Sequence, residues 1–416
     1  YVPPVVTPTR AGGFDQKVAI IGAGPAGLSC AFYLAEKGYK PVVFEKNERP
    51  GGMLTYGIPS FKLEKDVVEA EVEIIRLMGA EFRYGVEVGR DVTLDELRKQ
   101  GFKAFYVAIG CQGGRLAGIP GEDAEDVTVA VDFLREVNSG KIDALPGRTI
   151  VVGGGNVAID VARNACRLGS EHVEMFCLES EAQMPASEEE RREAVEDGAH
   201  ISCGWGPKEI HLDEAGRVCG ITFKRCMRVF DDEGRFAPEY DENDLRRVDA
   251  DRVVMSIGQS IVWGDLLAGS KVELGRGQGA LADPQTYQTA EPDIFVGGDV
   301  YTGPSFAIDA IAAGHEAAVS IHRFVQPGST LTIGRNQRRY TALDRDDAVI
   351  ESYDNASREV AHVDREREKA APFSEYVETF TEEQVRAETA RCLGCGASIV
   401  DPNKCIGCGL CTTKCA

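Results

Sequence analysis

The most regular feature of the chain is a short apolar run that ends at glycines and is followed by a longer helix-like stretch. Residues 17–21 (KVAII) are almost continuously apolar, which predicts a buried strand of a parallel sheet. Residues 25–37 predict a helix that ends at Gly38, since glycine favours the left-handed conformation that stops helices. Residues 41–44 predict a second strand, and Glu45 follows it. This order is that of a β–α–β unit.

The same pattern returns about 130 residues later in the chain. A strand over residues 149–152, a helix over 156–168 with Gly169 as its stop, and a strand over 173–178 followed by Glu179 are predicted there. Further strands are predicted over residues 105–110 for the first unit, over 251–258 for the second, and over 293–296. We expect the last of these to return to the first sheet, which makes the first domain discontinuous.

The sequence therefore predicts an α/β fold with two Rossmann-like domains. Residues 327–380 are polar and weakly periodic, which favours an extended linker, and 381–391 predict a short amphipathic helix. The predicted organisation is a lead-in over 1–16, a first domain over 17–145 and 260–326, a second over 146–259, the linker over 327–380, and a terminal segment over 381–416.

Composition and charge exclude several classes of function. At 416 residues the chain exceeds what one core usually supports, in keeping with two or three domains. A net charge of −21 argues against nucleic acid and anionic membranes as partners, and no apolar run is long enough to span a bilayer. Thirteen cysteines without a secretory signal favour metal ligation in the cytoplasm over disulfides. Because the chain opens on Tyr1, we expect it to be a segment of a longer protein.

The glycines of the first unit have the spacing of a dinucleotide-binding loop. Gly22 permits a tight turn, Gly24 lets the backbone approach a pyrophosphate, and Gly27 lets helix and strand pack closely. The pyrophosphate would then lie at the N-terminus of the helix. Glu45, 23 residues after Gly22, is placed to bind ribose hydroxyls.

The second unit carries a variant of the same loop. Gly153 and Gly155 are followed by alanine at Ala158, an accepted third position. Glu179 at the end of the next predicted strand would bind a free 2′-hydroxyl and repel a 2′-phosphate, which favours NADH. Alternatively, Glu179 is only solvated and binds no ribose. Arg191 and Arg192 lie close in the sequence and could reach a 2′-phosphate, so NAD(H) and NADP(H) both remain open.

The segment 297–305 (GGDVYTGPS) predicts a turn before a capped helix. In a flavoprotein, Asp299 would accept a hydrogen bond from the ribityl chain, and the helix N-terminus would face the flavin edge that gains negative charge on reduction.

These motifs resemble the FAD- and NAD(P)H-binding module of the glutamate synthase small-subunit type, also found in NADH-dependent ferredoxin:NADP oxidoreductase and in bifurcating enzymes. The resemblance covers about residues 17–325 and rests on segments 18–27, 45–59, 119–122, 153–160, 184–186 and 297–304. It implies a pyridine-nucleotide flavoprotein fold with FAD in the first domain and a nicotinamide nucleotide in the second. The predicted cofactor-binding residues are Gly22, Gly24, Pro25, Ala26, Gly27, Glu45, Lys46, Gly52, Met53, Ala108, Gly110, Gly298, Asp299, Ser305, Phe306 and Ala307 for FAD, and Gly153, Gly155, Asn156, Val157, Ala158 and Glu179 for the nicotinamide nucleotide.

The chain departs from that family in two places. Family members that use NADPH generally have an arginine pair where this chain has Leu178 and Glu179. The cysteine-rich segment that precedes the flavin domain in glutamate synthase small subunits is absent, and a cysteine-rich segment follows the domain instead. Glutamate synthesis is therefore not implied.

The last 25 residues carry six cysteines, of which four follow the C-x2-C-x2-C-x3-C spacing of bacterial ferredoxins. We predict a small ferredoxin-like segment with one [4Fe–4S] cluster, and a second cluster stays open because six cysteines leave two ligands to spare. The predicted metal ligands are Cys392, Cys395, Cys405, Cys408, Cys411 and Cys415. The remaining cysteines are scattered and are interpreted as small core residues.

Together these features predict an NAD(P)H oxidoreductase that relays electrons between a nicotinamide nucleotide, FAD and [4Fe–4S] clusters, with other redox subunits or ferredoxin as partners. No catalytic side chain is predicted, because the cofactors carry the chemistry. Two alternatives remain, an electron-bifurcating flavin subunit and a non-catalytic scaffold with vestigial nucleotide folds.

Overall fold

The structure is a computed structural model that describes residue 8, residues 12–335 and residues 356–392. The chain divides into two compact units. The first comprises Tyr1–Gln337 with Ala371–Glu375, and the second comprises Arg338–Ala370 with Tyr376–Ala416. The two units are described separately below.

The strands, in chain order, are β1 (Lys17–Ile21), β2 (Val42–Glu45), β3 (Glu81–Tyr84), β4 (Phe102–Val107), β5 (Gly113–Gly114), β6 (Val127–Val129), β7 (Arg148–Val152), β8 (His172–Cys177), β9 (His200–Cys203), β10 (Trp205–Leu212), β11 (Val218–Phe230), β12 (Phe236–Val248), β13 (Arg252–Met255), β14 (Gln259–Ser260) and β15 (Ile294–Val296). The α-helices are α1 (Pro25–Lys37), α2 (Met53–Tyr56), α3 (Lys65–Leu77), α4 (Leu94–Lys99), α5 (Ala130–Asn138), α6 (Asn156–Arg167), α7 (Glu188–Glu196), α8 (Asp299–Thr302), α9 (Ala307–Val325), α10 (Arg365–Ala370) and α11 (Glu382–Ala390). Single 3-10 turns lie at Glu181–Gln183 and Arg276–Gln278.

The first sheet is parallel, with the strand order β15-β4-β1-β2-β3. Its central strand β1 is buried on both faces. Val18 and Ile20 belong to the core beneath α1 and α9, and Ala19 and Ile21 belong to the core on the opposite face. This two-sided burial is why the run is apolar at every position after Lys17.

Strand β15 belongs to the first sheet, where it pairs with β4 although 186 residues separate the two strands along the chain. The helix that follows it, α9, packs against α1 at a glycine. A Cβ atom on Gly314 would lie 2.3 Å from the carbonyl oxygen of Ala26, so only glycine permits this approach. This contact brings the start of α9 to the same edge of the sheet as the start of α1.

The second sheet is also parallel, with the strand order β6-β13-β7-β8-β9. Helices α5 and α6 contribute to the core on one of its faces. An antiparallel sheet of β10, β11 and β12 covers the other face, where the rings of Phe176 and Phe223 stack with their centroids 3.9 Å apart. The α/β class with two Rossmann-like units is thereby confirmed.

The sequence predicted no element over residues 205–248, where the structure has this antiparallel sheet. Most residues of β12 are exposed and many are charged, so the strand lacks the apolar alternation that would identify it. Two predicted boundaries also shift. The strand expected over 105–110 spans 102–107, and the helix expected from about residue 305 begins at Ala307 after the short helix α8.

Part of the predicted linker has regular structure. Residues 371–375 belong to the first unit, where Phe373 packs against the core of the second sheet and Arg167 donates to the carbonyl of Pro372 (2.7 Å). In the second unit, Val363 and Val377 form an isolated antiparallel bridge beside α10. The predicted helix over 381–391 is observed as α11, which Thr381 caps, and it buries none of its residues. Within the described residues, no helix is long and apolar enough to cross a membrane.

Candidate functional site

The first glycine loop has the geometry that its spacing predicts. Gly22 has a φ of +103°, and a Cβ atom there would lie 2.4 Å from the carbonyl oxygen of Ala108. A Cβ atom on Gly27 would lie 1.9 Å from the carbonyl oxygen of Gly22, so the helix can start this close to the strand only with glycine. A Cβ atom on Gly24 would by contrast lie 4.0 Å from the Cα of Gly52, an ordinary contact, and no side chain caps the N–H groups of the first turn of α1. The loop therefore offers free N–H donors to an anion.

Glu45 lies at the end of β2 and is held in one orientation. One carboxylate oxygen accepts a hydrogen bond from the backbone N–H of Ala23 (2.8 Å) and the other accepts two from Asn47 (2.9 and 2.7 Å). The residue is buried. Because each carboxylate oxygen has two acceptor sites, Oε1 is fully used and Oε2 can still accept one hydrogen bond from a ligand in the cleft that Glu45 lines.

A second backbone segment approaches this loop from the side. Gly51 donates to the carbonyl of Ala23 (2.8 Å), and a Cβ atom on Gly52 would lie 2.9 Å from the Cα of Gly24. Lys65 then donates to the carbonyl of Leu54 (2.9 Å), and burial lowers its pKa to about 8. The two glycine turns thus pack directly against each other, with no room for a side chain between their backbones.

Asp299 opens the short helix α8 at the carboxyl end of the first sheet. Burial raises the pKa of its carboxyl group, and hydrogen bonds from the backbone N–H groups of Ser305 and Cys111 partly offset that rise. Ser305 itself bonds to Asp309 (2.6 Å), whose carboxylate also caps the backbone N–H of Phe306 at the start of α9.

These elements surround one cleft, called the central cleft here. The predicted cofactor-binding residues that line it are Gly22, Gly24, Pro25, Ala26, Glu45, Lys46, Gly52, Met53, Ala108, Gly110, Val157, Gly298, Asp299, Ser305, Phe306 and Ala307. Those that do not line it are Gly27, Gly153, Gly155, Asn156, Ala158 and Glu179. Gly27 serves the packing of α1, four of the others belong to the second glycine loop and the start of α6, and Glu179 follows β8.

The second sheet contributes to the central cleft through its helices. Val157 and Asp160 of α6 and Val131 and Leu134 of α5 form part of its lining. Sequence reasoning missed Asp160. A signal was present, because residues three apart on a helix share a face and Val157 was already predicted to contact a cofactor.

Asp160 belongs to a partly buried ion cluster with Lys62 and Glu190. The ammonium of Lys62 donates to Oδ1 of Asp160 (2.6 Å) and to Oε2 of Glu190. Burial raises the pKa of Asp160 to about 6, against the opposing effect of Lys62. Within the described residues, Oδ2 of Asp160 has no hydrogen-bond partner, which leaves it able to accept a donor from the cleft.

Lys62 reaches α6 from a loop that we call the strap, residues 58–64, which leaves the first sheet after α2. Beside Lys62, the ring of Phe61 lies under the guanidinium groups of Arg163 and Arg167, at 4.8 and 4.2 Å from its centroid. Both arginine side chains are buried. The strap therefore ties the first glycine-loop unit to the helix that follows the second loop.

The second glycine loop follows β7 and has its own neighbours. Gly153 has a φ of +142° and lies against Ser256, whereas a Cβ atom on Gly155 would meet nothing within 4 Å. The backbone N–H of Ser187 donates to the side chain of Asn156 (3.2 Å), and no side chain caps the start of α6. Glu179 lies beside this loop, with Oε2 3.1 Å from the position of a Cβ on Gly154. The loop is open to an anion in the same way as the first.

Of the predicted metal ligands, Cys392 is described and is exposed. Cys395, Cys405, Cys408, Cys411 and Cys415 lie outside the described residues. Among the described residues, no group of three or more His, Cys, Asp or Glu side chains could hold a metal ion. Four of the scattered cysteines are buried, as the core interpretation predicted, and three are partly exposed; the buried ones are Cys30, Cys111, Cys177 and Cys226.

Comparison with known proteins agrees with this geometry. The family model described as pyridine nucleotide-disulphide oxidoreductase matches residues 16–314. The chain is 36% identical over 399 residues to the NADP(+)-dependent formate dehydrogenase subunit beta of Moorella thermoacetica, covering 91% of this chain and 54% of that one. It is 37% identical over 330 residues to the small chain of glutamate synthase [NADPH] of Escherichia coli (strain K12), covering 75% and 69%. It thus spans about half the length of the first relative.

The fold is also found among solved structures. Mycobacterium tuberculosis FprA in complex with NADPH matches with a TM-score of 0.63 at 18% identity, covering 74% of this chain and 84% of that one. At this identity the likeness concerns the fold alone.

Proposed function

Since the chain belongs to the pyridine nucleotide-disulphide oxidoreductase family, with relatives of the glutamate synthase small-chain type, we propose that it is an NAD(P)H-dependent flavoprotein subunit. It binds FAD in the central cleft and a nicotinamide nucleotide at the second glycine loop. Electrons then pass to an iron–sulfur acceptor. The family establishes an oxidoreductase; the site residues, the acceptor and the direction of electron flow are our proposals.

The FAD site rests on the shape of the first loop. A pyrophosphate would bind beside Gly24 at the start of α1, because Gly24 carries no side chain and no side chain caps the N–H groups of the first turn. Glu45 would bind ribose hydroxyls beside it. The residues therefore fit the group that the family implies.

At the other end of the cleft, Asp299 and the start of α9 would hold the ring system. Two backbone N–H groups keep the Asp299 carboxyl group in place, so it can accept a hydrogen bond from a ribityl hydroxyl. The N-terminus of α9 carries partial positive charge, which stabilises negative charge on the part of a ring that it faces. When bound, FAD supplies the ring that accepts a hydride from a nicotinamide and returns electrons one at a time.

Asp160 and Lys62 would position the nicotinamide. Asp160 lies one helical turn from the uncapped start of α6, where the nucleotide pyrophosphate would bind, and its Oδ2 can accept a hydrogen bond from the carboxamide. Lys62 fixes Oδ1 of the same carboxylate and so fixes its plane. Such positioning is what hydride transfer requires of the protein, since no general base takes part.

The acceptor is proposed from the C-terminal cysteines. Cys405, Cys408, Cys411 and Cys415 have the spacing of [4Fe–4S] ligands, and Cys392 and Cys395 precede them. Because one similar relative is named as a subunit of a formate dehydrogenase, we propose that the chain works with other redox subunits or with a ferredoxin.

One observation carries the proposal: residues of both Rossmann-like domains line the same cleft, with Gly24 from the first glycine loop and Val157 and Asp160 from the helix that follows the second. To test it, the full chain is purified without oxygen, its flavin is released and identified, and the intact protein is titrated with NADH and with NADPH. We expect FAD at about one per chain and loss of the flavin absorbance with at least one nucleotide. A chain that takes up no flavin, or whose flavin neither nucleotide reduces, would contradict the proposal.

A further inference from the structure

The second nucleotide site contains a carboxylate whose position bears on the choice between NAD(H) and NADP(H). Glu179 follows β8 by two residues and is partly buried. Its backbone is fixed, because its carbonyl oxygen accepts a hydrogen bond from the N–H of Gly204 (2.9 Å). The preceding side chain, Leu178, points away from the loop, since its Cδ2 lies 2.9 Å from the position of a Cβ on Gly206.

The Glu179 side chain therefore turns towards the glycine loop. Oε2 lies 3.1 Å from the position that a Cβ on Gly154 would occupy, directly beside the loop backbone. Across residues 12–335 and 356–392, its carboxylate accepts no hydrogen bond and makes no ion pair. An acceptor placed here, at the end of the second strand of a dinucleotide-binding unit, lies where the adenosine ribose binds.

Three nearby arginines contact other groups instead of the expected ribose position beside Glu179. Arg191 donates through Nη1 to the carbonyl of Glu181 (2.7 Å), and its Nε is buried without a partner and out of contact with solvent. Arg192 lies 3.8 Å from Glu196 one helical turn away. Arg225 stacks over the ring of Trp205, with 5.2 Å from its guanidinium carbon to the ring centroid.

From this arrangement we infer that Glu179 selects NAD(H) over NADP(H), by accepting hydrogen bonds from the 2′- and 3′-hydroxyls and by repelling a 2′-phosphate. The inference rests on the proposed function and deepens it. It separates this chain from its two similar relatives named above, both of which carry NADP(H) in their names.

The test uses ligands that cannot transfer a hydride, so that binding is measured apart from flavin reduction. ADP-ribose and 2′-phospho-ADP-ribose are titrated by calorimetry into the FAD-loaded full chain. We expect ADP-ribose to bind at least about tenfold more tightly, the effect of one charge-assisted hydrogen bond. Glu179→Gln keeps the shape of the side chain and removes its charge. We expect this variant to bind ADP-ribose more weakly and to discriminate less between ADP-ribose and 2′-phospho-ADP-ribose.

Glu181→Gln is the matched control, because it removes an exposed carboxylate two residues further along the same loop. It should leave the preference unchanged, and thermal melting reports whether each variant is folded. Equal or tighter binding of 2′-phospho-ADP-ribose by the unmodified chain would overturn the inference while leaving the proposed function intact. Binding of neither ligand would overturn both.

Discussion

At the scale of a single residue, Asp160 links the two Rossmann-like domains, because it lies on α6 and pairs with Lys62 of the strap. It is partly buried, it lines the central cleft, and it is held by Lys62, 98 residues away in the sequence. Neither the ion pair nor its position was predicted from the sequence, because the strap that carries Lys62 has no periodicity that marks it. The glycine loops were predicted because their constraint is local: Gly22, Gly27 and Gly153 relieve clashes with a segment a few residues away or with the adjacent strand.

The raised pKa of Asp160 predicts how stability depends on pH. The ordinary pKa of an aspartate is about 3.9, and burial raises that of Asp160 to about 6, so between these values the folded state binds more protons than the unfolded state. The contribution of this residue to stability therefore falls as the pH rises from about 4 to about 6. Denaturant unfolding of the nucleotide-free protein should show this fall, on the order of 2–3 kcal/mol. Asp160→Asn should lack it; an unchanged pH dependence in the variant would contradict the assignment.

Two glycines of the first loop are expected to respond differently to the same added methyl group. In Gly27→Ala the Cβ would meet the carbonyl of Gly22, so the variant should lose several kcal/mol of stability, as overpacked sites do. In Gly24→Ala the nearest described atom is 4.0 Å away, so the protein should remain folded and lose affinity for FAD. Thermal melting and flavin content distinguish the two results. If the two variants had the same melting temperature and the same flavin content, the loop would not bind a ligand as proposed.

Among the elements, the strap has the most direct effect on function, because it joins the two parallel sheets through α6. Phe61→Ala removes the ring that lies under Arg163 and Arg167, and a buried phenylalanine truncation typically costs about 3–5 kcal/mol. We expect a lower melting temperature and slower flavin reduction by the nicotinamide nucleotide, with unchanged flavin content. Phe82→Ala is the control, since Phe82 lies in β3 at the edge of the first sheet. Slowing by both variants alike would indicate a general loss of stability.

The sequence was informative for elements whose two faces are buried and poor for those that face solvent. Strands β1, β7 and β15 were predicted because parallel strands between helices must be apolar throughout. Strand β12 was missed because one-sided burial and charged exposed positions remove that signal. The strand over residues 293–296 was expected in the first sheet, and β15 pairs there with β4, a partner that the sequence did not identify.

At the scale of the whole molecule, the flavin module and the cysteine-rich end are expected to be separable. If Cys408 ligates a [4Fe–4S] cluster, Cys408→Ser should lower the iron and acid-labile sulfide content and leave flavin reduction by the nucleotide intact. Cys219→Ser is the control, because Cys219 is a free, partly exposed cysteine of β11. Unchanged iron content in the Cys408 variant would refute the proposed ligand set.

We propose that a nicotinamide gives a hydride directly to a flavin in the cleft that both Rossmann-like domains line. Rapid mixing of the FAD-loaded chain, without oxygen, with its reducing nucleotide and with the same nucleotide carrying deuterium at the transferred position tests this most directly. We expect prompt loss of flavin absorbance, at a rate that deuterium in the nucleotide lowers. The measurement is made at saturating nucleotide and in a single turnover, so that neither binding nor product release limits the rate. A rate of absorbance loss that deuterium does not change would then contradict direct hydride transfer. So would the absence of any loss.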